Sequence, residues 1–457
     1  MFLSSLPFAS VRAPSSVARP KRNWKSRAVL CGALLTVLTL AACAAPQRPA
    51  PPVTTAPTPE APDTSRWLNP RHLDSVDPVR VALLLPLQSG DPSVRQLAQT
   101  MLDAAQLALF DQSGRNFVLM PKDTDGTAAS AAAAAREAID QGAEMILGPL
   151  FAQSVGVVAH PARARNIPVR AFSTDISVAG DGVYLLSFQP ENEVRTVTQY
   201  AASQGANGFA ALIPEGAYGQ RVADVYRDSV AQNGGYITSM EIYPRQVSLV
   251  EGAVRRLVRS PGTLAGLEEE KQRLRDAGDE ASMQALERLE SDNAFVGAGF
   301  DAVLIPEEGN LLRSLAPLLA YYGVNTRRVR LLGTGLWDDP DIAREPSLLG
   351  GWFAAPAPEM RQAFAISFEQ SYGRLPPRVA SLAYDGVMLA ATLADGPRGA
   401  RFRQSDITDP NGFFGIDGIF RFTPDGRAER GLAVIEITRE GFQVVSPAPT
   451  SFQTIGF

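Results

Sequence analysis

Val81-Ala-Leu-Leu-Leu-Pro-Leu-Gln-Ser-Gly90 joins an apolar run to a polar loop. The run is continuous rather than alternating, as in a strand buried on both faces. Pro86 ends the strand's hydrogen-bond ladder, and Gln88, Ser89 and Gly90 form the loop. Leu97, Met101, Leu102, Ala105 and Leu109 then recur on one side of a helix. Strand, loop and helix make half of a βαβ unit, in which ligands sit at the carboxyl end of the strand.

The same pattern continues outward. Apolar strands are expected at Phe117–Pro121, Glu144–Leu150, Ile167–Phe172 and Val183–Phe188, with helices at Thr127–Gln141 and Val155–Asn166. Alternation at this spacing predicts a parallel α/β sheet with right-handed crossovers. A second series follows: strands at Gly208–Pro214, Tyr236–Tyr243, Asp301–Pro306 and Val329–Leu332, separated by helices. From Gly412 to Val445 the helical period is lost. That segment reads as antiparallel strands, with turns at Thr423-Pro-Asp-Gly426 and Arg439-Glu-Gly441.

With 457 residues the chain exceeds one hydrophobic core, so two lobes are expected. A net charge of −5 offers no basic excess for nucleic acid. Cys31 and Cys43 both precede the globular part, leaving it without disulfides or a cysteine metal site. His72 and His160 are the only histidines, and no Gly-x-Ser-x-Gly, P-loop or zinc spacing appears. No catalytic residue, metal site or cofactor is therefore expected.

The amino terminus reads as a targeting segment. A basic region with Arg19, Lys21, Arg22, Lys25 and Arg27 precedes an apolar core at 28–42, too short to cross a bilayer comfortably. Leu40-Ala41-Ala42-Cys43 resembles the lipobox of bacterial lipoproteins, which implies cleavage before Cys43 and lipidation of its thiol. The alternative is a secretory signal with an incidental cysteine. Residues 43–65 are rich in Ala, Pro and Thr; extended as polyproline II they would form a tether of about 60 Å. Retention at the inner membrane resembles a rule requiring Asp after the lipidated cysteine. Ala44 stands there instead, favouring the outer membrane.

The order of parts from Val79 to Val445 resembles the type I periplasmic-binding fold, two Rossmann-like lobes with parallel sheets joined by a hinge. The resemblance rests on Leu84-Leu-Pro-Leu-Gln-Ser-Gly90, Gly148-Pro149-Leu150, Tyr218-Gly219 and Gly415-Ile-Asp-Gly418 with Phe420 and Asp425-Gly426. On it, the domain spans 66–446, with a tail at 447–457. Its first lobe takes about 79–188 and 326–408, and its second about 189–325 and 409–446.

Ile146-Leu-Gly-Pro-Leu-Phe151, Ala171-Phe-Ser-Thr-Asp175, Tyr200-Ala-Ala-Ser-Gln-Gly205 and Leu331-Leu-Gly-Thr-Gly-Leu-Trp337 are similar to the LppC-type penicillin-binding-protein activators. That resemblance implies a lipoprotein that binds and stimulates a bifunctional peptidoglycan synthase. Enterobacterial members carry a helical-repeat domain where this chain has its tether. The competing expectation is an amino-acid or other small-solute receptor of an ABC transporter.

If the cleft takes a small molecule, Ser89, Ser154, Ser173 and Thr174 lie at or near strand ends of the first lobe, where their hydroxyls could meet a carboxylate. Helix capping is the ordinary role of such residues. From the facing lobe, Tyr218 could stack on or hydrogen-bond a ligand, and Glu308 could pair with an amine. Turn packing and a solvated acidic loop are the alternatives. Between Tyr243 and Asp301 the chain is longer than this fold needs. Leu267, Leu274, Met283, Leu286 and Leu289 predict a charged helical hairpin over about 260–293, either a docking arm or a solvated decoration.

Overall fold

The computed structural model describes residues 65–69, 77–111, 117–259, 264–291 and 299–453. The targeting segment, Cys43 and nearly all of the tether lie outside the described residues.

The first lobe is built in chain order from β1 (Val79–Leu85), α1 (Pro92–Asp111), β2 (Phe117–Asp123), α2 (Ala128–Asp140), β3 (Met145–Leu147), α3 (Ala152–Arg163), β4 (Val169–Ala171) and β5 (Val183–Leu185). Its five strands are parallel in the order β2-β1-β3-β4-β5. The continuous apolar run of β1 is explained by burial on both sides. Val81, Leu83 and Leu85 face α1, while Ala82 and Leu84 face α2 and α3. Small side chains on α2 (Ala131, Ala134, Ala135, Ala138) let that helix pack onto the sheet, and Thr127 caps it by accepting from the Ser130 N–H at 3.2 Å.

The chain then crosses to the second lobe through α4 (Pro190–Ser203). There follow β6 (Gly208–Pro214), α5 (Ala217–Gln232), β7 (Tyr236–Tyr243), α6 (Val250–Val258), α7 (Leu264–Ala277), α8 (Glu280–Ser291), β8 (Ala302–Leu304), α9 (Gly309–Tyr321), β9 (Arg330–Gly333) and β10 (Trp352–Ala355). Next come α10 (Pro358–Tyr372), α11 (Ala380–Leu393), a short α12 (Gln404–Ile407), and the strands β11 (Phe413–Gly415), β12 (Gly418–Phe422), β13 (Ala428–Arg430), β14 (Ala433–Thr438) and β15 (Gly441–Ser446).

The second sheet runs β15-β14-β10-β9-β8-β6-β7; β14 alone runs against the rest, pairing antiparallel with both β10 and β15. This corrects the expected lobe boundaries. Residues 326–355 were expected in the first lobe, but β9 and β10 extend the second sheet, with Leu331 and Phe353 on one face and Leu332 and Ala354 on the other. The reason is local: β9 follows α9 directly from β8, and such a crossover sets successive strands side by side. The chain returns to the first lobe only after β10, where Phe364 and Phe368 of α10 and Leu382 and Val387 of α11 join its core.

The segment expected wholly in the second lobe from 409 onward also divides. β11, β12 and β13 form a separate antiparallel sheet. Phe420, Phe422 and Ala428 are packed into the first lobe's core. The Leu185 N–H donates to the Gly426 carbonyl at 2.8 Å, tying the turn after β12 to β5. Only β14 and β15 return to the second sheet. The two lobes are thus joined by three crossings: after β5, after β10 and after β13.

The hairpin expected over about 260–293 is present as α7 and α8. Gly278 turns with φ +64°, and the Ser282 N–H donates to Asp279 at 2.9 Å to start α8. Arg275 and Glu290 pair across it at 2.8 Å, and Arg259 beyond α6 reaches Glu269 at 3.2 Å. Leu286 is buried, whereas Met283 is half exposed.

Candidate functional site: the cleft between the lobes

A cleft of about 900 Å³ opens between the lobes. The second lobe supplies most of its wall, from the starts of α4, α5 and α9 and the turn after β9. The first lobe supplies Thr174, Phe188, Arg378 and Val379. Apart from Arg378 and Val379, which lead from α10 into α11, these positions follow carboxyl ends of strands, where the open sheets leave helix starts facing a common space.

Of the six residues expected to hold a ligand, the structure brings Thr174, Tyr218 and Glu308 to this cleft. Ser89, Ser154 and Ser173 are buried and lie outside its lining. Ser89 Oγ accepts from the Asp91 N–H at 3.3 Å, and Ser173 Oγ from the Asp175 N–H at 3.1 Å. Both hydroxyls thus serve the turn that follows their strand, the ordinary capping role.

Glu308 is exposed, while its neighbour Glu307 is 1 % exposed and carries the electrostatics of this corner. Glu307 accepts from Arg245 Nη2 at 2.6 Å and Nε at 3.2 Å, from the Tyr243 hydroxyl at 3.0 Å and from the Glu308 N–H at 3.1 Å. Its lone pairs are therefore committed internally. Burial, reinforced by the Glu307 charge, holds the Tyr243 phenol far above its usual range, so it stays a donor.

Tyr218 stands in the first turn of α5. Its neighbour Gly219 is needed there, since a Cβ at that position would overlap the Pro214 carbonyl at the end of β6. Among the described residues the buried Tyr218 hydroxyl has no hydrogen bond of ordinary geometry, and neither has the hydroxyl of nearby Thr334, which is fully buried. Burial raises the Tyr218 phenol well above its usual range, against the pull of Thr334.

One contact that joins the lobes is made by Arg378, Glu193 and Gly335, none of them among the expected site residues. Arg378, just before α11, extends from the first lobe; its Nη1 donates to the Gly335 carbonyl at 3.1 Å and its Nη2 lies 3.6 Å from Glu193 Oε1 on α4. The guanidinium stacks on Phe188, 4.1 Å from the ring centroid. Glu193 also accepts from the Gly335 N–H at 2.9 Å. Burial pushes the Glu193 carboxyl above the usual range, opposed by Arg378 and by that N–H. A side chain at Gly335 would collide with both Arg378 and Glu193. The signal lay in Gly333-Thr-Gly335: two glycines flanking a buried threonine after a strand mark a close approach.

Behind Phe188 a second arginine, Arg430, is buried between Phe188 and Phe420, 4.9 Å from each ring. Its Nη1 lies 3.9 Å from Asp385. Burial first, then the nearby Asp417 charge, pushes the Asp385 carboxyl up to about 7, although Arg430 and the Ile416 N–H oppose them. The Gly415–Gly418 motif exists around this network: Asp385 accepts from the Ile416 N–H at 2.7 Å, and Asp417 accepts from the Ser381 hydroxyl.

A family model described as periplasmic binding protein matches residues 78–260. Among solved structures, a putative branched-chain amino acid ABC transporter protein from Rhodospirillum rubrum superposes with a TM-score of 0.64 at 16% identity, covering 80% of this chain and 100% of that one. A branched-chain amino acid ABC transporter periplasmic ligand-binding protein from Burkholderia xenovorans gives 0.61 at 15% identity, covering 81% and 96%. The fold is that of the type I periplasmic-binding proteins.

Among curated relatives, the penicillin-binding protein activator LpoA of Vibrio antiquarius is 26% identical over 246 residues, 49% of this chain and 38% of that one. LpoA of Vibrio vulnificus is 26% identical over 228 residues, 48% and 34%. An uncharacterised Rickettsia prowazekii protein is 22% identical over 186 residues, 41% and 49%. The matches thus span between a third and a half of these relatives' lengths. The chain is similar to penicillin-binding-protein activators in sequence and to ABC-transporter ligand-binding proteins in fold. Among the described residues no helix is long and apolar enough to cross a membrane.

Proposed function

We propose that this chain is a lipid-anchored periplasmic protein that binds a bifunctional peptidoglycan synthase and stimulates it. The observation that carries the reading is the likeness to the Vibrio activators over nearly half of this chain. The cleft gives it physical support. A solute receptor needs free polar groups converging from both lobes. Here Glu307 is saturated by Arg245 and Tyr243, Ser89 and Ser173 hold their own turns, and Arg378 bridges the lobes to Glu193 and Gly335.

The α7–α8 hairpin is the proposed docking arm. Between 264 and 291 it carries eight acidic and four basic side chains, so much of the chain's net charge of −5 sits on it. Such a surface favours fast association with a basic partner and loses that advantage in salt. Cys43 is the proposed lipid attachment, with the outer membrane favoured over the inner.

A small-solute receptor of an ABC transporter is the second reading. The 900 Å³ cleft with Thr174 and Tyr218 on opposite walls favours it. Glycan polymerisation by a purified bifunctional synthase, measured with and without the full chain, tests the first reading; amino-acid titration of the chain tests the second. Stimulation without amino-acid binding is the expected result. Amino-acid binding in the micromolar range with no effect on the synthase would reject the proposal.

A further inference from the structure

We propose that the corner formed by Phe188, Glu193 and the Gly335 carbonyl is a cation-binding site, and that Arg378 of this same chain is its resident occupant. Free molecules bearing a guanidinium or alkylammonium group then enter the cleft only when Arg378 withdraws. This goes beyond the synthase reading and stands whether or not that reading does.

The three groups are those that recognise an organic cation: an aromatic face, a carboxylate and a carbonyl oxygen. All three are fixed without Arg378's help. Glu193 is buried and held by the Gly335 N–H at 2.9 Å. The Gly335 carbonyl belongs to the turn closed by the Asp338 N–H, which donates to it at 3.1 Å. Phe188 is backed by Arg430, itself buried beside Asp385. The cage is therefore preorganised and would outlast removal of its occupant.

Arg378 fits this cage loosely. Among the described residues it makes one hydrogen bond into it, through Nη1, while its Nε and Nη2 are buried without a hydrogen-bond partner there and Nη2 lies 3.6 Å from Glu193. A structural ion pair between lobes would be expected to present the Nε–Nη2 edge to the carboxylate in a two-point contact. An occupant held by stacking and one hydrogen bond is displaceable. The surrounding field has the matching sign. Five acids and two arginines line the cleft, one of them Arg378; with Arg245 held by Glu307 and Arg361 by Asp338, withdrawal of Arg378 leaves the Glu193 carboxylate without the cation beside it.

The test uses the full chain, ethylguanidinium as the cation and N-ethylurea as its neutral isostere, both at millimolar concentration, with thermal melts and calorimetric titration. Wild type should respond to neither. R378A should bind ethylguanidinium about tenfold or more tightly than wild type. It should ignore N-ethylurea and lose the response when E193Q is added. Should R378A not fold alone, refolding yield carries the same test, with rescue by ethylguanidinium but not by N-ethylurea expected. Folded R378A that is indifferent to ethylguanidinium, wild type that binds it equally well, or equal effects of the two compounds would overturn the proposal.

Discussion

Arg170 is the residue whose replacement should most improve stability. It sits in β4 with no solvent exposure, on the face of the sheet that packs against Phe422, whose ring centroid lies 6.0 Å away. Its Nη1 donates to the Met145 sulfur at 2.6 Å, while Nε and Nη2 have no hydrogen-bond partner among the described residues. Burial lowers its pKa from 12.5 to about 9, with Tyr184 opposing weakly. At about 1.4 kcal/mol per pH unit, that corresponds to about 5 kcal/mol by which this site disfavours the charge relative to water. A guanidinium keeps its proton under ordinary conditions, so the folded state bears most of this cost. Methionine has a similar reach and no charge. Arg170→Met should recover part of the cost, about 1–4 kcal/mol, less the lost sulfur and aromatic contacts. Urea unfolding at pH 7.5, followed by far-ultraviolet circular dichroism, reads this as a raised midpoint at constant slope. A midpoint lowered by more than about 1 kcal/mol equivalent would refute the reasoning, because it would mean that Arg170 has a strong partner in the folded state.

Gly333→Ala places a Cβ against the fully buried indole of Trp337, so a loss of about 3 kcal/mol is expected, with altered near-ultraviolet dichroism. An unchanged melting temperature would contradict the packing. Glu307→Gln removes the charge that Arg245 and Tyr243 share; because Arg245 is half exposed, the expected loss is only about 1–3 kcal/mol, read by urea unfolding. Asp385 has its folded pKa raised to about 7 from 3.8 by burial and Asp417, so its stabilising contribution is complete below about pH 4 and disappears as pH rises through 7. Asp385→Asn lacks that titration. Its melting temperature relative to wild type should therefore climb between pH 5 and pH 8, and a constant difference would count against the assignment. Deleting 263–292 should leave the melting temperature within a few degrees while abolishing capture of the synthase. Undiminished capture would remove the hairpin from the docking surface.

Much of the architecture was legible because parallel strands buried on both faces leave uninterrupted apolar runs, as at Ala82–Leu85 and Phe209–Ile213. The alanine-rich helix from Thr127 and the surplus length between Tyr243 and Asp301 were equally plain. Membership of β9 and β10 in one sheet or the other was not. A strand buried in either lobe has the same composition, and only the handedness and shortness of the α9 crossover pointed to the second. At the cleft, Thr174 and Tyr218 were reachable by position, since strand ends are where ligands collect. Arg378 and Glu193 were not: each opens an ordinary helix. Their shared partner Gly335 is 142 positions from Glu193, so nothing local marks the meeting. Glu307 and Glu308 show the same limit, because adjacent acids read alike while one turns into the core and the other into solvent.

Leu68 exchanges two backbone hydrogen bonds with Leu119 at the outer edge of β2, so residues 65–69 are sewn to the first lobe. The α7–α8 arm grows from the second. The proposed anchor at one end and the proposed grip at the other would place any mechanical load across the interlobe gap, where it is shared by three strands of polypeptide, the Arg378 bridge and the Arg361–Asp338 pair at 2.8 Å. A chain wired this way would act as a strain gauge: tension between the proposed anchor and whatever the arm holds would open the gap, and the grip of the Arg378 and Arg361 guanidinium groups would set how much pull it withstands.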